Sequence, residues 1–418
     1  MRILLFEIKK AILSPVILSL FVIFTAFNLF LIYENAYIKD DLKKVNQIAN
    51  KYGTEINDDM LNRMKSDYES NLEKVNELTS STVSKTYESM GDFFADQSFY
   101  LPEKFSEKEI DFFNETAILE FYYFSSLEID ESFLAIDLIQ IAEQEMRMYG
   151  ISGEAAELIR NQYDKMTERY VKVLENKEYK HVFPAQSVWE THLLLFKTMF
   201  RALLIEGVIL TVLVTAYIMN FEFDRGTHLL AYSSKRGRNL WLDKFGAALI
   251  TNVSFMILLL VISLTAYFSV FSYREFWGVP ISSFFNAGKE WFMSWWNLSF
   301  LEYLAAVVIL SLLLIILFTF MTAIITRWMR NSYLVFFIFL CVFGVIYVNQ
   351  AIFSSSSILF LFGYFTPVNL VLNSFSWFMQ RALTLTAYFE VITVTVWFVV
   401  LLLGVMYSFR SFRKCDLT

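Results

Sequence analysis

Apolar residues along this chain are concentrated in runs that are separated by short polar segments and, once, by a long one. A helix needs about 20 apolar residues to cross the hydrocarbon core of a bilayer. Runs of this kind occupy 16–33, 202–220, 246–271, 303–325, 333–352 and 390–408. The pattern predicts an all-α membrane protein with six transmembrane helices. Glu7 interrupts the segment before the first run and no A-x-A-like cleavage site follows it, so we expect a retained helix.

The long polar segment predicts a soluble domain, which we call the inserted domain, between the first two transmembrane helices. It divides the chain into 1–33, 34–196 and 197–418. Apolar residues at heptad spacing occur twice within it, which is typical of a helical stalk. The first set is Leu61, Met64, Tyr68, Val75 and Leu78, and the second is Ala156, Ile159, Tyr163, Met166, Tyr170 and Val173. We expect the two helices to pair antiparallel. The aromatic middle forms either an ordinary core or a surface for an apolar ligand or partner.

Composition and charge agree with a membrane protein and set its orientation. The chain is 56% hydrophobic and 18% charged, with a net charge of −7 and a mean hydropathy of +0.45. Lys and Arg in short loops mark the cytosolic side. They cluster at the start, after the second and fourth runs, and at the end, so both termini are expected in the cytosol. The inserted domain then lies outside the cell membrane. Residues 34–200 hold 32 Asp and Glu against 18 Lys and Arg.

The sequence argues against catalysis by this chain. It contains no G-x-x-x-x-G-K-[ST] phosphate loop, no H-E-x-x-H, no G-x-S-x-G and no C-x-x-C. Two cysteines cannot make a disulfide framework, and three histidines argue against a His-based metal site. No basic patch interleaved with aromatic residues points to nucleic acid. We therefore expect no bound cofactor or metal, no catalytic residue and no nucleic-acid partner.

A charged segment at 221–245 interrupts the apolar half of the chain. Its basic residues Arg236, Arg238 and Lys244, together with Lys9 and Lys10 near the start, suit anionic lipid head groups at the cytosolic surface. Ser234 is a plausible N-cap for the helix that follows. Anchoring at the membrane surface does not explain the ordered run EFDRGT that precedes these residues.

That run carries a family resemblance. The pattern E-x-x-x-G-T-x-L-L-x-x-S resembles the loop between spans two and three of ABC type-2 exporter permeases. In this chain the pattern comprises Glu222, Arg225, Gly226, Thr227, Leu229, Leu230 and Ser233, with Arg238 and Lys244 one or two positions from the usual spacing. The inserted domain lies beyond the resemblance.

The resemblance implies a mechanism and two protein partners. A separate cytosolic ABC ATPase subunit would hold ATP and Mg²⁺, and a second permease copy would complete a homodimer or heterodimer. The loop would contain a coupling helix that docks on the ATPase, with Thr227 as its cap and two leucines as apolar contacts. Glu222 would pair with a basic group of the partner or of the loop itself. Gly226 would allow a sharp turn where a side chain would clash.

The N-terminal segment would act as a connecting helix, or merely as a surface anchor. Its pattern places apolar residues on one face and Arg2, Lys9 and Lys10 on the other. The apolar set is Leu4, Leu5, Ile8, Ala11 and Ile12.

The segment 354–376 is apolar but contains Gly363 and Pro367, which break a helix. It predicts a re-entrant hairpin that dips from outside before the sixth span, and a seventh full span is the alternative. Glu206 lies a few residues inside the second run. It is either a group of the transport path, with Gly363 and Pro367, or an interfacial residue near Arg201.

The sequence favours the permease subunit of an ATP-driven exporter. Its cargo is expected to be hydrophobic or amphipathic, such as a peptide antibiotic, a lipid or a toxin. The alternative is a membrane-anchored interaction or sensing protein whose stalk binds a partner without transport. A membrane enzyme has no supporting motif.

Overall fold

The computed structural model describes residues 2–97, 101–233, 237–287, 293–384 and 386–414. Within these ranges the chain is helical, and the β-structure there is limited to isolated bridges. The α-helices are α1 (Arg2–Ile12), α2 (Pro15–Glu34), α3 (Lys39–Tyr52), α4 (Asp58–Val83), α5 (Met90–Gln97), α6 (Leu101–Lys104), α7 (Glu107–Leu127), α8 (Ile129–Leu134), α9 (Leu138–Met148), α10 (Gly153–Glu175), α11 (Trp189–Leu193), α12 (Phe200–Asp224), α13 (His228–Ser233), α14 (Leu240–Val270), α15 (Phe300–Trp328), α16 (Ser332–Val348), α17 (Ile358–Phe362), α18 (Pro367–Leu372) and α19 (Phe389–Lys414). The predicted all-α class is confirmed.

Five helical segments of the described chain are long and apolar enough to cross a membrane. They are Pro15–Glu34, Gln186–Asp224, Gly237–Val270, Phe300–Trp328 and Phe389–Lys414. The predicted run 333–352 forms α16, an apolar helix of 17 residues. At about 1.5 Å per residue it is shorter than the roughly 30 Å hydrocarbon core. Five helices of spanning length therefore stand where the sequence predicted six.

The membrane-length helices form one bundle around α12. This helix is apolar around its whole circumference and packs against α2, α14, α15 and α16. A helix with no polar face is expected at the centre of a bundle. Buried polar groups also join the helices, because the Asn252 amide donates to Thr215 Oγ1 at 2.9 Å and to Thr319 Oγ1 at 3.0 Å. Such hydrogen bonds fix the register of helices that share an apolar surround.

The inserted domain is helical, but its long helices do not pair as predicted. α4 packs against α7, and α10 packs against α9 and α17. The expected antiparallel pairing of α4 with α10 is therefore wrong. A heptad stripe specifies which face of a helix is buried, but it does not specify which other helix covers that face.

Much of the described aromatic middle of the inserted domain is core, whereas Phe124 is 46% exposed. Phe93 and Phe113 are fully buried, and their ring centroids lie 4.8 Å apart. Phe105 packs edge-on against Phe113 at 5.0 Å. These rings form a small apolar cluster with Val75 and Met90, separate from the main core. Edge-to-face contacts at such distances are those that aromatic cores prefer.

The inserted domain is tied to the rest of the chain through polar contacts, some of them buried. Arg169 holds Glu178 with two hydrogen bonds, at 2.8 and 2.5 Å, and its Nε donates to the carbonyl of Ser294 at 3.0 Å. Helix α10 begins against the loop before α17, where Ser355 Oγ donates to the carbonyl of Gly150 at 2.7 Å. The helical stretch from Gln186 runs on into α12 across the predicted boundary at 196.

Candidate functional site

The predicted coupling segment begins where α12 ends in a tight turn. The N–H of Thr227 donates to the carbonyl of Glu222 at 2.8 Å, and the N–H of Gly226 donates to the carbonyl of Phe223 at 3.1 Å. This pair of bonds is a Schellman motif, which needs a left-handed residue just past the helix end. Gly226 supplies it with a φ of +70°. A Cβ at this position would meet no atom within 4 Å. The glycine is therefore required by backbone conformation and not, as predicted, by a clash.

Helix α13 follows directly and presents two leucines to its surroundings. Leu229 is 57% exposed and Leu230 is 78% exposed. Tyr232 of the same helix is buried against Phe223 and Phe412, with ring centroids 5.8 and 5.1 Å away. The tyrosine thus anchors α13 on the bundle while its leucines point outward.

The polar residues in and just before this short helix make contacts of their own. Ser233 Oγ donates to the carbonyl of Leu230 at 3.1 Å. Arg225 is exposed beside the ring of Phe221, at 5.8 Å from its centroid. Asp224 accepts a hydrogen bond of 2.5 Å from Ser332 Oγ at the start of α16. The turn is therefore connected to a neighbouring helix of the bundle.

Beneath the turn lies a group of four charges that we call the charged cluster: Glu7, Lys10, Glu222 and Lys244. Lys244 has no exposed surface, and its Nζ pairs with Glu222 and donates to the carbonyl of Ile218 at 2.6 Å. Lys10 Nζ lies 2.7 Å from Glu7 Oε2 and 3.5 Å from Glu222 Oε1. The formal charges cancel, which buried ionic groups require. The cluster joins α1, α12 and α14.

Several predicted membrane anchors have other roles in the structure. Lys244 and Lys10 face inward in the charged cluster, so their assignment to lipid head groups is wrong. Arg238 donates to the carbonyl of Arg413 in α19. Lys9 is exposed, as a surface anchor must be. Arg236 and the predicted N-cap Ser234 lie outside the described residues. The positive-inside rule identifies the side of a membrane but not which bases find acidic partners.

The N-terminal helix is turned differently from its predicted orientation. Glu7 and Ala11 are buried against the bundle, with Leu4 and Ile8 partly buried beside them. Leu5 and Ile12, assigned to the same apolar face, are exposed. The acid–base pair that α1 contributes to the charged cluster sets this rotation, because unpaired charges cannot be buried.

The residues predicted to line a transport path belong to three different elements, α12, the end of α17 and α18. Glu206 is buried and accepts a hydrogen bond of 2.6 Å from Asn28 Nδ2 of α2. Gly363 ends α17, and Pro367 occupies the first turn of α18. The helical break at 363–367 thus falls where the sequence predicted it, and its entry into a membrane stays a prediction.

Sequence reasoning missed Glu7 and Asn28 as partners of Lys10 and Glu206. An acid in an amphipathic helix and an amide inside an apolar run were the available signals. Within the described ranges, no three His, Cys, Asp or Glu side chains are placed to hold a metal ion. Comparisons of the chain with protein-family models, with curated proteins and with solved structures found no match.

Proposed function

We propose that this chain is the permease subunit of an ATP-driven ABC exporter, and that α13 is its contact with a separate cytosolic ATPase. The observation that supports this most directly is the exposed pair Leu229 and Leu230 on a short helix that Tyr232 packs against the bundle. A helix of six residues is too short to be stable alone. The bundle therefore maintains an apolar projection that its own packing does not use, which is typical of a surface that meets a partner.

The charged cluster supports a mechanical link between α13 and the bundle. Glu222 lies in the last turn of α12, and its partners lie in α14 and α1. A force on α13 passes through the Schellman turn to Glu222 and from there to three helices. ATP-driven movement of the partner would in this way shift the helices as rigid bodies. ATP and Mg²⁺ belong to the partner subunit in this proposal.

The proposed topology places both termini and α13 in the cytosol and the inserted domain outside the cell membrane. Helix α16 serves as the fifth of six spans, short for a bilayer, and α17 and α18 form the re-entrant hairpin before the sixth. A second permease copy completes the transporter. The abundance of apolar and aromatic groups in the bundle suits a hydrophobic or amphipathic cargo.

Co-purification tests the proposal. Tagged full-length chain is expressed with any ABC ATPase that is encoded beside its gene, and the bound ATPase is quantified. Leu230→Asp should reduce its recovery about tenfold or more, because an apolar contact is replaced by a charge that the interface must desolvate. Leu134→Asp is the matched control, since Leu134 is 62% exposed in the inserted domain.

The control variant should recover as much ATPase as the unchanged chain. Equal recovery with Leu230→Asp would contradict the role of α13. No ATPase recovered with the unchanged chain would favour the alternative of a membrane-anchored sensing protein.

A further inference from the structure

A cavity of about 440 Å³ lies at the end of the bundle opposite α13. We call it the Arg201 cavity. It is bounded by the first turn of α12, the end of α16, the helices α17 and α18, the start of α19 and the end of α9 in the inserted domain. Among the described residues that line it are two arginines, one acid and three tyrosines: Arg201, Arg381, Glu390, Tyr149, Tyr347 and Tyr364. Its volume falls within the range of small-molecule sites, roughly 300–1,000 Å³.

Arg201 is held in the wall of this cavity with an unused donor. Its Nε is buried and has no hydrogen-bond acceptor among the described residues. A guanidinium is always charged and carries five N–H donors. Leaving such a donor buried without an acceptor costs about 1–3 kcal/mol. An arginine in this state is explained most simply by an acceptor that binds in the cavity.

The backbone around Arg201 is also unusual. A π-helical turn, Leu194–Met199, immediately precedes α12. Such turns are rare and occur frequently at functional sites. Ser374 Oγ donates to the carbonyl of Phe196 within this turn at 3.0 Å. The irregular turn is thus fastened to the segment after α18, which forms another wall of the cavity.

The other ionic groups of the cavity have contacts within the protein. Arg381 stacks over the ring of Phe375 with its guanidinium carbon 4.2 Å from the centroid. Glu390 accepts a hydrogen bond of 2.8 Å from the N–H of Phe378. The buried, unused donor of Arg201 is what favours an anionic ligand. The planar donor fork of arginine matches phosphate in particular.

The rest of the wall is suited to an apolar body. Leu372, Leu383 and Phe389 line the cavity beside the tyrosines and Trp377. Leu383 is partly buried against the main core. A ligand that carries both an acidic head and an apolar portion would contact both kinds of wall, whereas a bare anion would leave the apolar wall unused.

We propose that the Arg201 cavity binds a phosphate-bearing amphiphile, with its phosphate on Arg201 and its apolar portion against the tyrosines and leucines. Membrane phospholipids have this chemistry, and inorganic phosphate shares only the head. The site is built from this chain alone, so the inference holds whether or not the chain associates with an ATPase.

The test follows retention of short-chain phosphatidylglycerol by the purified full-length chain in detergent, using native mass spectrometry over a lipid titration. The unchanged chain should bind phosphatidylglycerol more tightly than zwitterionic phosphatidylcholine. Arg201→Gln should weaken binding about tenfold or more, because a charge-assisted hydrogen bond is lost. Arg201→Lys keeps the positive charge but lacks the planar donor fork. Its affinity for phosphatidylglycerol should lie between that of the unchanged chain and that of Arg201→Gln.

Two further variants separate binding from folding. Leu383→Trp adds volume inside the cavity without changing its charge and should also weaken binding. Arg274→Gln is the matched control, because the Arg274 side chain is 85% exposed and lies outside the cavity. It should bind lipid as the unchanged chain does.

Three results would overturn the proposal. The first is wild-type binding by both Arg201→Gln and Leu383→Trp. The second is a loss of phosphatidylglycerol binding in Arg274→Gln equal to the loss in Arg201→Gln. The third is displacement of phosphatidylglycerol by an equal concentration of inorganic phosphate, which would assign the site to free phosphate. If Arg201→Gln does not fold, as judged by circular dichroism, Arg201→Lys and Leu383→Trp decide the question.

Discussion

Glu222 and Lys244 form an ion pair at the base of the exposed turn, and the lysine has no solvent-accessible surface. The sequence separates them by 22 positions, and the structure brings them together because α14 packs along α12. The pair joins the two helices that flank α13. Its integrity therefore decides whether the turn is held rigidly on the bundle.

Removing one partner of this ion pair should destabilise the protein more than removing both partners. Lys244→Met leaves the Glu222 carboxylate buried beside Lys10 alone and should cost about 3–5 kcal/mol. The double substitution Lys244→Met with Glu222→Leu should cost less, since no charge is then left unpaired. Thermal unfolding in detergent micelles, followed by circular dichroism, measures both. Arg225→Gln is the exposed control and should stay within about 0.5 kcal/mol. A single variant as stable as the unchanged chain would refute the coupling.

Gly226 should resist substitution for a backbone reason alone. Its φ of +70° costs an L-residue about 1–2 kcal/mol, while a new Cβ would meet no atom within 4 Å. Gly226→Ala should therefore lower stability by that amount, and Gly226→Asn by less, because asparagine tolerates this region better. Gly278→Ala is the control, since its Cβ also meets no atom and its φ is not positive. Equal effects of the two alanine variants in the unfolding experiment would contradict the explanation.

Acidification should weaken the attachment of the inserted domain at His181. His181 forms an isolated antiparallel β-bridge with Glu55. The backbone carbonyl of His181 accepts a hydrogen bond of 2.6 Å from Ser283 Oγ. Burial lowers the pKa of His181 below its usual value. The folded state thus favours the neutral ring, while the unfolded chain takes up a proton near pH 6.5.

The contribution of His181 to stability is complete above about pH 6.5 and is lost as the pH falls below it, by at most about 1.4 kcal/mol per pH unit. Melting temperatures between pH 5 and pH 7.5 measure this dependence. His181→Gln should make it shallower, because glutamine does not titrate. An unchanged slope in the variant would show that another group is responsible.

The proposed topology predicts which cysteines react from outside the cell. In a background of Cys341→Ser and Cys415→Ser, Ser70→Cys in α4 should be labelled by an impermeant maleimide on intact cells. Ser233→Cys in α13 should be labelled only after permeabilisation. Both positions are exposed, so accessibility within the protein does not distinguish them. The reverse labelling pattern would invert the orientation and exclude α13 as a cytosolic contact.

The pair Asn28 and Glu206 should behave as a buried hydrogen bond between α2 and α12. Asn28→Leu removes the donor and leaves the Glu206 carboxyl group buried without it, at a cost of about 1–3 kcal/mol. Asn28→Leu with Glu206→Leu should restore most of the stability, because both polar groups are then absent. The same thermal unfolding assay compares them. A double variant less stable than Asn28→Leu would indicate that Glu206 has a further partner.

Local patterns predicted the elements of this protein well. The apolar runs located α2, α12, α14, α15 and α19 to within six residues at each end, because a membrane-length helix must be apolar along its whole length. The run 333–352 located α16 but overestimated its extent. The signals Gly226, Gly363 and Pro367 marked real turns or helix ends, since glycine permits conformations such as the positive φ of Gly226 and proline fixes its own φ.

By itself the sequence determined the helical class, the positions of the long apolar helices and the position of the exposed turn, because these depend on residues that are close together in the chain. Only the tertiary structure decided the partners. Lys244 was assigned to lipid and Glu7 was not assigned at all, yet both belong to the charged cluster. An apolar stripe indicates that a helix face must be buried, and a charge near the core indicates that a partner charge is needed. Which distant residue does so depends on how helices pack, and that is decided by the shape and charge of the whole bundle.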